Sequence, residues 1–203
     1  MKATMGRRGI PALRAAAWIA SQEWSGRAQF ERRGDAMVIS GTDNYAYVDV
    51  RVDATFEGWD DGAAVTIGDD NPGMRRISRY CKEIRDWDMC KKLALVVEHD
   101  PASPALALEV TDLGDVPSTM RIAVTGRARR IHAEAFDEMP EGQNEGHMAV
   151  TSATWRKIGK LTNMLGLPFQ AWEFHDRGPL HAFDLTCEER SARIIAMPTR
   201  GGE

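Results

Sequence analysis

The sequence predicts an α+β protein in which a few basic helices pack on antiparallel sheets. Apolar residues recur at intervals of three and four in three segments and at intervals of two in many others, so strands outnumber helices. Basic residues concentrate in those same three segments, although the 203-residue chain has a net charge of −4. The order of helices and strands also repeats along the chain, which indicates one structural unit used several times.

Segment 72–85 has the strongest helix pattern. Asp70 and Asn71 precede Pro72, an arrangement of capping residue and first-turn proline that is typical of helix starts. An apolar stripe is expected to face the core, and cations are expected to lie on the opposite side. The stripe contains Met74, Ile77, Cys81 and Ile84, and the cations are Arg75, Arg79 and Lys82.

Segments 152–165 and 11–22 repeat this plan. In the first, Ser152 is the expected cap and Gly166 the stop. Its expected buried residues are Trp155, Ile158, Leu161, Thr162 and Leu165, and its outward cations are Arg156, Lys157 and Lys160. Segment 11–22 begins at Pro11 and is expected to leave Arg7, Arg8 and Arg14 available while it buries Leu13, Ala16, Ala17 and Ala20.

The longest strand prediction covers residues 45–54, where small apolar residues alternate with polar or aromatic ones. Shorter strands are expected at 36–40, 63–67, 93–98, 105–110, 120–125, 147–150, 169–175, 181–185 and 192–197. Two βαβββ units follow from this order, one around helix 72–85 and one around helix 152–165. Helix 11–22 is expected to belong to a third copy that is degraded at its N-terminal end.

The polar, turn-rich stretch from Gly126 to Gly146 is the predicted boundary between two domains, 1–126 and 127–203. Segments 7–21, 72–85 and 152–165 hold eleven of the 26 Lys and Arg residues and one of the 30 acids. Charge is therefore sorted by element, with cations on the helices and acids elsewhere.

Several classes of chemistry find no support in the sequence. The three cysteines, Cys81, Cys90 and Cys187, match neither a disulfide framework nor a zinc site, so reduced and mostly buried thiols are expected. No apolar run spans a bilayer and no secretory signal is evident, which favours a cytoplasmic location. No phosphate-binding glycine loop or nucleophile elbow is present. We expect no catalytic activity, no cofactor and no metal site.

Two possible metal sites are better explained as ordinary strand and turn residues. His175, Asp176 and His181 lack a third convincing ligand at short spacing. The acids of the 60–70 stretch are more typical of solvated hairpin turns, and they are Asp60, Asp61, Asp69 and Asp70.

The repeated unit and the C-terminal sequence resemble the DNA sliding clamps, namely the bacterial DNA polymerase III β subunit and proliferating cell nuclear antigen. SARIIAMPTR at 191–200 is similar to the last strand and tail of the bacterial β clamp. MAVTSATWRKIGKL, QAWEFHD and HAFDLT occupy the places of its last half-domain. The resemblance is best over 147–200 and weakest before residue 60. Bacterial β clamps have three domains, so this chain resembles a reduced, two-domain form.

The resemblance implies a function without a reaction, in which the protein encircles duplex DNA and tethers a polymerase. The helix cations would contact phosphates in a ring's central hole, and these are Arg7, Arg8, Arg14, Arg75, Arg76, Arg79, Lys82, Arg156, Lys157 and Lys160. Met197, Pro198 and Arg200 match the tail that borders the family's pocket for polymerase and clamp-loader peptides. Because family rings contain six domains, a two-domain chain is expected to form a trimer.

Two alternatives remain at this stage. An oligomeric structural or assembly protein, for instance a viral component, would carry the same basic helices as solvent-facing surfaces only. An unrecognised hydrolase is the other. The shape of the oligomer separates these classes, since only a clamp requires a closed ring with a duplex-sized hole.

Overall fold

The structure, a computed structural model, describes residues 1–68, 71–85, 93–102, 105–112, 118–123, 130–131, 150–165, 172–175, 183–187 and 192–196. This part of the chain contains three helices, α1 (Gly9–Ala20), α2 (Asn71–Arg85) and α3 (Ser152–Met164). Its strands are β1 (Lys2–Gly6), β2 (Arg27–Arg33), β3 (Ala36–Thr42), β4 (Ala46–Glu57), β5 (Ala64–Gly68), β6 (Leu93–His99), β7 (Ala105–Asp112), β8 (Ser118–Ala123), β9 (Glu173–His175), β10 (Phe183–Cys187) and β11 (Ala192–Ala196).

The strands form one antiparallel sheet whose main path runs β5-β2-β3-β4-β1-β6-β7-β8. Strand β4 is the branch point, since its first half also pairs with β11 and its last residues pair with β1. β10 and β9 continue the sheet from β11. The C-terminal strands are thereby joined to the N-terminal part of the chain by backbone hydrogen bonds.

The N-terminal part contains two complete βαβββ units, β1-α1-β2-β3-β4 and β5-α2-β6-β7-β8. The prediction that the first copy is degraded was therefore wrong, because strands β1 and β2 escaped detection. β1 is five residues long and shows only two buried apolar side chains. In β2 the outward-facing Gln29 and Glu31 are buried as well, at 1% and 5% exposure, which hides the period of two expected of a half-buried strand.

Helix α1 is buried on almost every side because it packs against α2, α3 and the apolar face of β2–β4. Its alanines and the glycines opposite them allow this close approach. A Cβ atom at Gly41 in β3 would lie 2.3 Å from the carbonyl oxygen of Ala16, and one at Gly26 would lie 1.8 Å from that of Ala20. The small residues of α1 therefore set the distance between helix and sheet.

Helix α2 has the predicted apolar stripe, with Met74, Ile77 and Cys81 fully buried, while the side chain of Ile84 lies outside the description. Helix α3 departs from prediction at its cap, at Trp155 and at Thr162, which is half-buried rather than buried. Its cap is Thr151, whose Oγ1 accepts a hydrogen bond from the Thr154 N–H at 3.2 Å, rather than Ser152. Trp155 is 49% exposed, because the buried stripe consists of Ile158, Leu161, Met164 and Leu165.

Most other strand predictions agree with the structure to within a few residues. The expected strand at 147–150 lies mostly outside the described residues, as do the first residues of the one expected at 169–175. Trp172 is half-buried and packs against the core. Among the cysteines, Cys81 and Cys187 are free and buried, and Cys90 lies outside the description.

Gly41→Ala is expected to destabilise the protein by about 3 kcal/mol, because the new methyl group meets backbone rather than a movable side chain. Gly159→Ala is the matched control. A Cβ atom at Gly159 in α3 meets nothing within 4 Å, and alanine stabilises a helix relative to glycine by about 1 kcal/mol. Urea unfolding of both variants measures the difference, and equal midpoints would contradict the packing described for α1.

Candidate nucleic-acid interface

Helix α2 presents an exposed cationic face. Arg75, Arg76, Arg79 and Lys82 are all exposed, and Glu83 is the one acid in the helix. The opposite face is anchored in the core by Met74, Ile77 and Cys81, so the orientation of the helix is fixed. The predicted cations of segment 72–85 are therefore presented together to solvent.

Helix α1 contributes cations at its N-terminal end. Arg7 and Arg8 precede the helix and are exposed, and its first turn contains no acid and no side-chain cap. Cations at this end oppose the helix dipole, so they do not stabilise α1 itself. Their position instead raises the positive potential at the edge of the helix layer.

Arg14 of α1 was predicted to lie on the open surface. The structure instead shows its side chain half-buried. Its charge acts on Cys81 of α2. Burial raises the pKa of the Cys81 thiol to about 12, and the nearby Arg14 guanidinium opposes that rise. Arg14 therefore lies close enough to α2 for its charge to influence the Cys81 thiol.

The cations of α3 are engaged with other parts of the molecule. Lys157 Nζ lies 2.5 Å from Oδ2 of Asp43, a fully buried carboxylate in the turn between β3 and β4. Lys160 Nζ lies 4.6 Å from the centre of the Trp18 ring on α1. Arg156 is exposed and donates to Ser152 Oγ on its own helix at 3.3 Å. The prediction that all three point outward into solvent was wrong for Lys157.

The seam between β4 and β11 is a second candidate site. Arg193 of β11 pairs with Asp49 of β4 across it, with Nη2 and Oδ2 3.2 Å apart. Burial raises the pKa of the Asp49 carboxyl, and the Arg193 guanidinium opposes this. Ala196, the last residue of β11, lies opposite Ala46. Met197, Pro198 and Arg200 follow directly but lie outside the described residues.

Two exposed aromatic residues near this seam were missed by the sequence analysis. Tyr45 is 63% exposed and directly precedes β4, and Trp24 is 76% exposed in the loop after α1. A hydrogen bond from Asn44 Nδ2 to Ser25 Oγ, 2.5 Å long, joins their loops. The Asp-Asn pair before Tyr45 is a turn signal that could have placed this residue at a loop rather than in the strand.

The chain between β8 and α3 contacts the outer side of β2 at residues 130–131. Gln29 Oε1 accepts from the Ile131 N–H at 2.7 Å, and Gln29 Nε2 donates to the Ile131 carbonyl at 3.0 Å. Arg130 pairs with the buried Glu31 at 2.9 Å. These contacts explain why the two polar residues of β2 are buried.

The described ranges contain no group of three or more His, Cys, Asp or Glu side chains arranged to hold a metal ion. Asp60 and Asp61 are exposed beside a hairpin, and Asp61 accepts a hydrogen bond from the Gly34 N–H at 2.7 Å. Asp69, Asp70, Asp176 and His181 lie outside the description. Within the same ranges, none of the helices has the length and apolar character needed to span a bilayer.

No family model and no curated protein matches this sequence. Solved structures match it over its whole length. The pol III beta of Caulobacter crescentus superposes with a TM-score of 0.62 at 10% identity, covering 100% of this chain and 67% of that one. This chain has the sliding-clamp fold. A DNA polymerase III beta subunit from Eubacterium rectale gives a TM-score of 0.63 at 9% identity, with coverages of 99% and 66%.

The PCNA of A. fulgidus, solved with the C-terminal region of FEN-1 bound, matches with a TM-score of 0.56 at 14% identity. The match covers 100% of this chain and 99% of that one. The present chain thus spans about two thirds of the bacterial clamps and nearly all of the A. fulgidus clamp. The predicted α+β clamp-like fold is confirmed.

Proposed function

We propose that this protein is a DNA sliding clamp, a non-enzymatic processivity factor that encircles duplex DNA and tethers a polymerase. The observation that carries the proposal is the cationic face of α2 on a chain that has the clamp fold from end to end. The four exposed cations of α2 stand out because the chain as a whole is acidic.

DNA would be held through phosphate contacts that have no sequence preference. Lys and Arg side chains attract phosphates at every position along a duplex, so the protein stays associated while it moves. In the proposed ring α2 supplies most of this attraction, assisted by Arg7, Arg8 and the exposed Arg156. The acids outside the three helices discourage DNA from binding the outer surface.

The polymerase and clamp-loader peptides would bind at the β4–β11 seam. β11 ends at Ala196, opposite Ala46, and the exposed Tyr45 directly precedes Ala46 in the chain. Met197 and Pro198 follow Ala196 in the sequence. Exposed aromatic and methionine side chains suit a pocket that accepts several peptide sequences, because a methionine side chain adapts its shape readily. The FEN-1 segment bound to the A. fulgidus clamp provides a precedent for peptide binding by this fold.

The ring would be a homotrimer. The near-complete match in length to the A. fulgidus clamp supports the proposed division into two domains, 1–126 and 127–203, and six domains then require three subunits. The contacts would be heterologous, with an edge strand of one subunit against a different edge strand of the next. The proposed setting is a soluble one, in the cytoplasm.

Reversal of two α2 charges, Arg79→Glu with Lys82→Glu, should weaken association with a 30-base-pair duplex at least tenfold. Each lost phosphate contact should also lower the slope of log K against log salt by about 0.9. Fluorescence anisotropy over a salt series measures both quantities.

The matched control is Lys2→Glu with Arg51→Glu, which changes net charge by the same amount. Its side chains are 40% and 51% exposed and lie on strands, paired with Glu57 and Asp35. If the control loses as much affinity and slope as the α2 variant, net charge rather than the α2 face governs DNA binding, and the proposed interface is wrong.

Removal of residues 197–203 should abolish stimulation of the cognate polymerase and leave the fold intact, because β11 ends at Ala196. Removal of 201–203 alone, which keeps Met197, Pro198 and Arg200, is the control and should retain stimulation. Primer extension on a long template reports the activity, and circular dichroism reports the fold. Full stimulation by the longer deletion would locate the partner site elsewhere.

A further inference from the structure

The buried carboxylate of Asp43 is the most deeply enclosed charge in the described part of the chain, at 0% exposure. Its Oδ1 accepts hydrogen bonds from the N–H groups of Tyr45 and Ala46, at 3.0 and 2.8 Å. It thereby stabilises a turn in which Asn44 has a positive φ of 73°. Because the two N–H donors are neutral, they do not cancel the negative charge of the Asp43 carboxylate, which still needs a cationic partner.

The balancing charge comes from the other end of the chain. Lys157 of α3 is 114 residues away in sequence, and its ammonium contacts Oδ2, the oxygen that the turn does not use. The Lys157 side chain is 26% exposed, so most of its length is enclosed. A single carboxylate therefore bonds the turn through one oxygen and α3 through the other.

A second contact lies one helical turn further along α3. Lys160 Nζ lies over the Trp18 ring of α1, and cations at this distance are attracted to the face of an indole. Both contacts join α3 to the N-terminal part of the chain. Arg156, by contrast, is exposed and bonds to Ser152 within its own helix.

We propose that Asp43 and Lys157 form an electrostatic latch that fixes α3 and its strands against the N-terminal part of the chain and holds the turn that carries Tyr45. Lys157 is then a positioning residue, and its loss changes the arrangement of the two parts of the chain. In a ring built from such subunits, this arrangement sets the curvature. The latch itself does not depend on whether the protein binds DNA.

The physical basis is that removal of one partner from a buried ion pair leaves an uncompensated charge, whereas removal of both leaves none. Lys157→Met nearly keeps the length of the side chain but leaves the buried Asp43 carboxylate without its cationic partner. The double variant Asp43→Asn with Lys157→Met retains an oxygen for the two amide bonds and removes both charges. Non-additive effects of these substitutions distinguish a pair from two independent structural residues.

The test is a distance measurement by pulsed electron spin resonance between spin labels on α2 and α3. The labels are placed at Glu83→Cys and Ala153→Cys, both exposed positions, in a Cys90→Ser background. Cys81 and Cys187 are buried and stay unlabelled in the folded protein. The unmodified latch should give one narrow distance distribution, and Lys157→Met should give one at least twice as wide.

Arg156→Met is the matched control, since it removes a neighbouring exposed charge whose hydrogen bond among the described residues is to Ser152 of the same helix, and its distance distribution should stay narrow. The double variant should give a distance distribution as wide as that of Lys157→Met, but it should unfold at a higher temperature than Lys157→Met. It also keeps the test valid if the single variant fails to fold. A narrow distribution in the double variant, or a melting temperature no higher than that of Lys157→Met, would overturn the latch.

Discussion

Strand β4 is the element on which the rest of the structure depends, because it pairs with three other strands. β3 lies along one edge, and β11 and β1 share the other. Its inward residues Val48, Val50 and Val52 belong to the core beneath α1, while Tyr47 and Asp49 on the outer side contact Arg193 of β11. The twelve residues of β4 thus join the first βαβββ unit to the C-terminal strands. Strands β1 and β2 of that unit in turn pair with β6 and β5 of the second unit.

The turn before β4 extends this connection into the helix layer. Asp43 stabilises the turn and meets Lys157 of α3, so the same hairpin contacts both the C-terminal strands and the C-terminal helix. This arrangement divides the basic residues into two groups. The cations of α2 face solvent, whereas Lys157 and Lys160 make contacts within the chain. A basic helix is therefore not by itself evidence of a DNA contact. Whether each cation already has a partner within the chain determines whether it is free to bind a phosphate.

The helices and strands that could be predicted from the sequence are those with one buried face and one solvent-exposed face. Helix α2 has the expected buried and exposed faces, and β4 alternates as expected from Val48 onward. Tyr47 at the start of β4 is buried on the outer side, where Arg193 of β11 lies over its ring. Strand β2 does not have such an exposed face, because Gln29 and Glu31 are covered by residues 130–131 on its outer side. A contact between residues that are 102 positions apart leaves no trace in local periodicity. The pairing of Lys157 with Asp43 is equally non-local, which explains why a helix-face argument assigned that lysine to solvent.

The shape and mass of the assembled protein test the central claim most directly. Electron microscopy of the purified protein at micromolar concentration, combined with light scattering, should show a closed ring of three copies of the 22.6 kDa chain around a duplex-sized hole. A monomer under these conditions, with and without DNA, or a compact oligomer without a hole, would contradict the sliding-clamp function proposed for this chain.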